Sequence, residues 1–302
     1  MSPEPSDTAN SPRCDTTVTL AHLSDPHLPP PPVSWKEALN KRAISLASWK
    51  YHRRYVHLAQ TCAALVHDIS RSNVDAILVS GDLTNFGTPD EFAAAAEWLD
   101  ALPRTALVIP GNHDCLVPQS RKVGLALWEK WSARSYPYVR IHNGVAIVGI
   151  NSGIPTPPFM ACGYVSLRQR KRLKTLLKNL GKRGFCRVVM IHHPPRRGLV
   201  RWGKSLLGMN KVAEILRSAG AEIVLHGHSH DATLTSVPLS DIPLLGVASA
   251  SLDDDRPLRR ACWNHLAISP HENGWHIGLE RHRDDGVITE RVYWVRPKTG
   301  PS

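Results

Sequence analysis

Five short aliphatic runs in this chain each stop at a turn that carries histidine, aspartate or asparagine. Thr17 to Ser24 precedes Asp25-Pro26-His27, and Asp75 to Ser80 precedes Gly81-Asp82-Leu83-Thr84-Asn85. Ala106 to Ile109 precedes Pro110-Gly111-Asn112-His113-Asp114. Arg187 to Ile191 precedes His192-His193-Pro194-Pro195, and Glu222 to Leu225 precedes His226-Gly227-His228-Ser229-His230. Runs of this length and apolar content read as buried strands, and the ends of such strands are where α/β sheets build their sites. Pro110 and Gly111 end the third run, and Gly111 permits positive φ or a close backbone approach. Pro26 is expected to keep Asp25 extended, with Asp25 and His27 two apart and projecting to one side.

The side chains at these turns have a common chemistry. Four nitrogen ligands, two carboxylates and one amide oxygen suit two divalent or trivalent ions in mixed nitrogen and oxygen coordination, such as iron, manganese, zinc or cobalt. A carboxylate can bridge two ions, and two ions can clamp a phosphoryl group while bringing a bound water to hydroxide near neutral pH. The set needs no cysteine, unlike most structural zinc sites.

Between the strands the pattern is helical. Val56 to Ser70, Pro89 to Leu102, Gln119 to Ala133 and the segment ending at Ala219 read as helices, as does Leu167 to Leu180 between Ser166 and Gly181 as caps. Tyr138 to Ile141 and Val145 to Asn151 form a hairpin about Asn143-Gly144. After His230 the chain reads as antiparallel strands: Thr233 to Val237, Leu244 to Ser249, Cys262 to Ser269, Trp275 to Arg281 and Val287 to Trp294, with a turn at Pro270 to Gly274. The candidate residues span the chain, which argues for one domain at 17–296, a disordered segment at 1–16 and a tail at 297–302.

In order, D-x-H, G-D-x-x-N, G-N-H-D, H-H-P-P and G-H-S-H resemble the signature of the calcineurin-like metallophosphoesterase superfamily, over about Leu20 to Asp231. The resemblance implies an α/β fold, a four-layer αββα sandwich of two mostly mixed sheets flanked by helices. It implies Asp25, His27 and His230 on one metal, Asp82 bridging, and Asn112, His192 and His228 on the other. His113 would serve the leaving oxygen rather than a metal. Asn85, Asp114 and His193 would orient neighbours. The motifs look most like the bacterial cyclic-nucleotide phosphodiesterase branch, which implies hydrolysis of a phosphodiester or pyrophosphate bond in a phosphate-ester substrate. The alternatives are a UDP-2,3-diacylglucosamine pyrophosphatase-like enzyme acting at a membrane surface, a nuclease of the superfamily, and a non-catalytic scaffold. A nuclease would be expected to carry a separate DNA-capping domain, so nucleic acid is not the expected partner.

Lysine and arginine outnumber aspartate and glutamate 37 to 26, which favours an anionic partner. Six scattered cysteines without a CxxC pair, no apolar signal core and no long apolar run point to a reduced, cytoplasmic compartment. The stretch Val33 to Tyr55 is a basic, aromatic insertion, with Trp35, Leu39, Ala43 and Leu46 at helical spacing. It either packs on the domain with its charges solvated, or joins the loop Arg196 to Lys204 in a cationic rim. That rim would dock on anionic membranes or grip an acylated substrate. The other histidines, among them His22, His57 and His226, read as surface or core residues.

Overall fold

The computed structural model describes residues 16–34 and 41–297. The first half supplies β1 (Val18–Leu23), α1 (Arg42–Tyr51), α2 (Ala59–Arg71), β2 (Ala76–Val79), α3 (Pro89–Asp100), β3 (Ala106–Val108), α4 (Leu125–Leu127), β4 (Tyr138–His142) and β5 (Val145–Ile150). The second supplies β6 (Gly163–Tyr164), α5 (Leu167–Lys182), β7 (Cys186–Ile191), β8 (Leu206–Leu207), α6 (Met209–Ala219), β9 (Ile223–His226), β10 (Leu234–Ser236) and β11 (Pro243–Gly246). Three ten-residue strands, β12 (Cys262–His271), β13 (Gly274–Arg283) and β14 (Ile288–Pro297), complete the chain.

Two six-stranded sheets form, in the orders β14-β13-β12-β1-β2-β3 and β10-β11-β9-β7-β5-β4. Both are mixed: β1, β2 and β3 run parallel, as do β5, β7, β9 and β11. The alternation of side chains along each strand assigns them to opposite layers. Leu20, Leu78, Ile147, Val188, Leu225 and Leu266 meet between the sheets. Their neighbours Ala21, Ile77 and Val79 face Leu65 and Ile69 of α2 and Phe92 and Leu99 of α3. On the far side, Val148, Val189 and Val224 pack on Leu173 and Leu177 of α5 and Leu216 of α6. Strands buried on both faces are what unbroken aliphatic runs require. The layers are therefore helix, sheet, sheet, helix.

Several local expectations need correction. The segment Gln119 to Ala133 is a wide π-type turn at Ser120–Gly124 followed by the single turn α4. A Cβ at Gly124 would lie 2.1 Å from the Phe92 ring, so the backbone is pressed against α3 there. Trp128 buries its indole and donates to the Phe92 carbonyl, which ends the segment. Gly181 does not cap α5, which runs on to Lys182; the left-handed residue is Gly184, whose N–H donates to the Gly181 carbonyl. The strands after His230 are not one antiparallel unit. β10 and β11 join the second sheet, with β11 parallel to β9, whereas β12 to β14 extend the first sheet from β1. The Asn143-Gly144 hairpin is as expected, both residues having positive φ.

One buried ion pair braces the second sheet. Arg187 at the start of β7 forks onto Glu222 at 2.6 and 3.0 Å, and donates to the carbonyls of Leu177 in α5 and Ala219 in α6. Glu222 also accepts from the Arg187 backbone N–H. Removing one partner of such a pair leaves a charge in a low-dielectric layer. Glu222→Ala is expected to lower the unfolding free energy by about 3–5 kcal/mol, measured by chemical denaturation.

Candidate metal centre

The ends of β1, β2, β3, β7 and β9 converge, and the seven metal-ligand candidates sit on the turns that follow them. Five of the seven, Asp25, His27, Asp82, His228 and His230, have positive φ between 39° and 65°. Asp25 is thus not extended as Pro26 suggests: the chain turns sharply at this residue and again at His27. Left-handed backbone costs a side-chain-bearing residue about 1–2 kcal/mol, so it persists only where surrounding contacts hold it.

Those contacts are hydrogen bonds from turn to turn. The N–H groups of Asp25 and His27 donate to the carbonyls of Gly81 and Asp82 at 2.9 and 3.1 Å, tying the first turn to the second. The buried Asp114 carboxylate accepts from the N–H groups of Gly111, Asp82 and Thr84 and from the Thr84 hydroxyl, tying the second turn to the third. The His228 N–H donates to Asp25 Oδ2 at 3.0 Å, tying the first to the last. Close approach makes glycine necessary at two points. A Cβ on Gly111 would lie 2.1 Å from Asp82 Oδ1, and one on Gly227 would lie 2.5 Å from Asp25 Oδ2.

On this scaffold the side chains fall into two groups. In the first, His230 Nε2 lies 3.1 Å from Asp25 Oδ1 and 3.5 Å from His27 Nε2. In the second, His192 Nε2 lies 3.2 Å from Asn112 Oδ1 and 3.3 Å from Asp82 Oδ2. The other His192 nitrogen, Nδ1, reaches the Ser80 carbonyl at 2.7 Å, which assigns the proton to Nδ1 and frees the Nε2 lone pair. His228 is the reverse: Nε2 faces the Lys204 carbonyl at 2.8 Å, leaving Nδ1. Ligand atoms of Asp25, Asp82 and His192 lie within 4.8 Å of one another, and so do those of His192, His193 and His228. His193 commits both nitrogens elsewhere, to the Ser152 hydroxyl and the Ala161 carbonyl, so it packs against His228 without a free lone pair.

The electrostatics ask for cations. Burial pushes the Asp25 carboxyl up, but His230 and His192 hold it well below the ordinary range. Burial would lower His192, yet Asp82 and Asp25 raise it to about 9: without another cation, a proton serves these carboxylates. Burial drives His27 well below its ordinary value, and its Nδ1 is buried without a hydrogen-bond partner. An imidazole kept neutral at His27 and one protonated at His192 only because of the carboxylates it faces both fit a site built for metal ions.

His113 stands apart from both groups. Its N–H donates to Asp82 Oδ1, and Nδ1 meets the Asn85 carbonyl at 2.8 Å. Asn85 thus orients His113 through its backbone, while its side-chain amide donates to Leu28 O. That loop is held in turn by Glu91, which accepts from the N–H groups of Asn85, Phe86 and Thr88 in the capping box of α3.

The sequence reading missed one residue and left two others in a cationic rim without a place in the site. His57, read as a surface or core residue, is buried and its ring centroid is 4.6 Å from that of His27; its Nδ1 meets the Ser251 hydroxyl. Arg53 and Lys204 line a cleft of about 310 Å³ that opens onto Asp82, Asn112, His113, His228 and His230. None of the three belongs to a motif; the basic character of the insertion and of the loop before α6 was a signal for Arg53 and Lys204, and His57 had none. Gly111→Ala should leave the secondary structure intact but displace Asp82. Metal analysis of the purified variant is expected to find less than half the wild-type content, and full content would count against this geometry.

The family model for calcineurin-like phosphoesterase matches residues 18–232. A probable cyclic nucleotide phosphodiesterase of Synechococcus sp. is 25% identical over 246 residues, 77% of this chain and 82% of the relative. A glycerophosphodiester phosphodiesterase of Enterobacter lignolyticus is 26% identical over 185 residues, 58% of this chain and 63% of the relative. Among solved structures, a dimetal phosphatase from Danio rerio superposes with a TM-score of 0.62 at 13% identity, over 92% of this chain and 98% of the other.

Proposed function

This chain belongs to the calcineurin-like phosphoesterase family and is a metal-dependent phosphoric ester hydrolase, and on that premise we propose how its own residues divide the work. Asp25, His27 and His230 hold one ion, Asn112, His192 and His228 hold the other, and Asp82 serves both. The observation that carries this is the convergence of Asp25, Asp82 and His192 within 4.8 Å, with further imidazoles on either side. When bound, a pair of such ions supplies a hydroxide nucleophile near neutral pH and offsets charge on the phosphoryl oxygens. Manganese or iron is our first expectation for this donor set, with zinc or cobalt as alternatives.

His113 then acts on the leaving oxygen. Its Nδ1 is engaged by the Asn85 carbonyl, so Nε2 is the nitrogen left to deliver or share a proton. Burial and then Arg53 lower its pKa to about 4, so it is neutral at pH 7 in the free protein and must first take up a proton at Nε2 to protonate a leaving oxygen. The bond cut is a phosphodiester or pyrophosphate linkage, as the names of the two relatives suggest for the diester.

The membrane reading loses support from the insertion itself. Arg42 is buried and donates to the carbonyls of Phe86 and Gly87. Lys41 donates to Thr156 and the Met160 carbonyl, and Arg53 faces the cleft. Among Lys41, Arg42, Lys50, Arg53 and Arg54, the cations of the described part of the insertion, Lys50 and Arg54 remain outside these roles. Trp35, Lys36 and Leu39 lie outside the described residues. No helix among the described residues is long and apolar enough to cross a membrane.

Two measurements test the assignment. Metal analysis of wild-type protein is expected to approach two ions per chain, with activity abolished by chelators, and Asp82→Ala is expected to disturb both ions; full content in that variant would remove Asp82 as the bridge. His113→Ala is expected to keep its metals and lose on the order of 10²–10⁴ in rate. The loss should shrink for nitrophenolate leaving groups, which need no proton. Equal losses for good and poor leaving groups would mean that His113 only positions the substrate.

A further inference from the structure

Arg53 sits on the short 3₁₀ turn Arg53–Tyr55 that follows α1, inside the basic insertion. The turn is fixed from behind. The His57 N–H donates to the Arg53 carbonyl at 2.8 Å, the Leu58 N–H to Ser251 O, and the Asp253 N–H to Val56 O. His57 and Leu252 form a bridge there. The guanidinium is thereby carried over the strand-end turns, with Nη1 3.4 Å from His113 Nδ1. Among the described residues no carboxylate lies within 4.0 Å of an Arg53 nitrogen or of Lys204 Nζ, although the chain forms many such pairs elsewhere. Lys204 lines the same cleft, its carbonyl anchored by His228 Nε2. Desolvation in the cleft and then the Arg53 charge hold its amine below the ordinary value.

The cleft's own acid, Asp82, makes no ion pair with either cation and belongs to the candidate metal-ligand set, so two like charges share one cleft and favour an anion between them. The metal centre does not supply that anion. With two divalent ions bound, Asp25, Asp82, a hydroxide and a singly charged diester would offset them, and the charges of Arg53 and Lys204 would be left over. Arginine presents a planar fork suited to phosphoryl oxygens and keeps its charge when partly buried. His113 and Asn112 line the same cleft as Arg53, so a phosphoryl group bound at them would lie beside Arg53.

We propose that Arg53, with Lys204 on the same cleft, is an anion clamp that binds phosphoryl oxygens beyond those metal ions would engage. The substrate class this fits is a phosphoric ester with a second negative charge at or next to the scissile phosphorus. That charge comes from a terminal phosphoryl dianion or from the neighbouring phosphate of a pyrophosphate. The clamp rests on the phosphoesterase reading of the same site and refines it.

The test uses the full chain loaded with manganese. Arg53→Ala, Arg53→Lys and Lys204→Ala are compared with Arg54→Ala, whose exposed side chain reaches Tyr55. Substrates are bis(p-nitrophenyl) phosphate, p-nitrophenyl phosphate and ADP-ribose, and inorganic phosphate binding is followed by calorimetry. One charge-assisted hydrogen bond is worth about 10- to 100-fold in affinity. Arg53→Ala is therefore expected to keep its metal content and thermal midpoint, and to weaken phosphate binding by about 10- to 100-fold. Its kcat/KM on the doubly charged substrates should fall about 10-fold further than on bis(p-nitrophenyl) phosphate. Arg53→Lys should restore part of the loss, Lys204→Ala should show a smaller loss of the same kind, and Arg54→Ala should match wild type. A loss confined to p-nitrophenyl phosphate identifies the dianion as the source, and one confined to ADP-ribose identifies the pyrophosphate. Unchanged phosphate binding in metal-loaded Arg53→Ala, or equal losses on all three substrates, overturns the clamp. A wild-type protein that binds metal and phosphate but hydrolyses nothing overturns the hydrolase reading and leaves the phosphate comparison to judge the clamp.

Discussion

The hydrogen bonds that run from one strand-end turn to the next are what the rest of the structure depends on. Each parallel strand must reverse its path within one or two residues while presenting a ligand, and five of the seven candidate ligands do so with left-handed backbone. At about 1–2 kcal/mol per residue the combined cost is comparable to the net stability of a domain. Asp114 offsets part of it by gathering four donors from two turns, and Asp25 Oδ2 gathers the last turn to the first. The sheets set the distances at which these bonds can form. Sheet register therefore reaches the metal centre through backbone hydrogen bonds, and packing beneath the sheets, including the Arg187 and Glu222 pair, holds it there.

How much of this was legible differs by kind of residue. The ligand turns could be read because a strand, a glycine or proline and a His/Asp/Asn side chain are adjacent in sequence, and Gly111 and Gly227 show the steric reason for that adjacency. The same local logic misread Asp25, since the preference imposed by Pro26 yields to bonds made with Gly81 and Ser249, more than fifty residues away. It also misread Gln119 to Ala133, where helical periodicity is present but Phe92 crowds Gly124. The split of the strands after His230 between two sheets is set by pairing with β9 and β1, which no local pattern encodes.

Arg53, His57 and Lys204 show a second limit. A charge run read from sequence has no direction, which left the insertion open between packing on the domain and forming a cationic rim; Arg42 goes into carbonyl contacts and Arg53 lies on the cleft. His57 follows Arg53 by four residues, and the bridge from His57 to Leu252 keeps both against the loop that carries Ser249 and Ser251. The described part of the insertion, from Lys41 on, therefore lines one side of the cleft.

The charges around the centre divide it into a floor and a roof. On the floor, Asp82 and Asp25 overcome the burial of His192 and raise it to about 9. Under the roof, burial and then Arg53 bring His57 to about 2 and His113 to about 4. Both sets of imidazoles are buried to similar degrees, so the difference in direction comes from the charge each one faces. A cation is stabilised at the floor and an anion beneath the roof, and the gap between them is where a phosphoryl group would meet both. Because Arg53 remains charged whether or not ligand is present, the roof is fixed in advance, and substrate entry need not reorganise it.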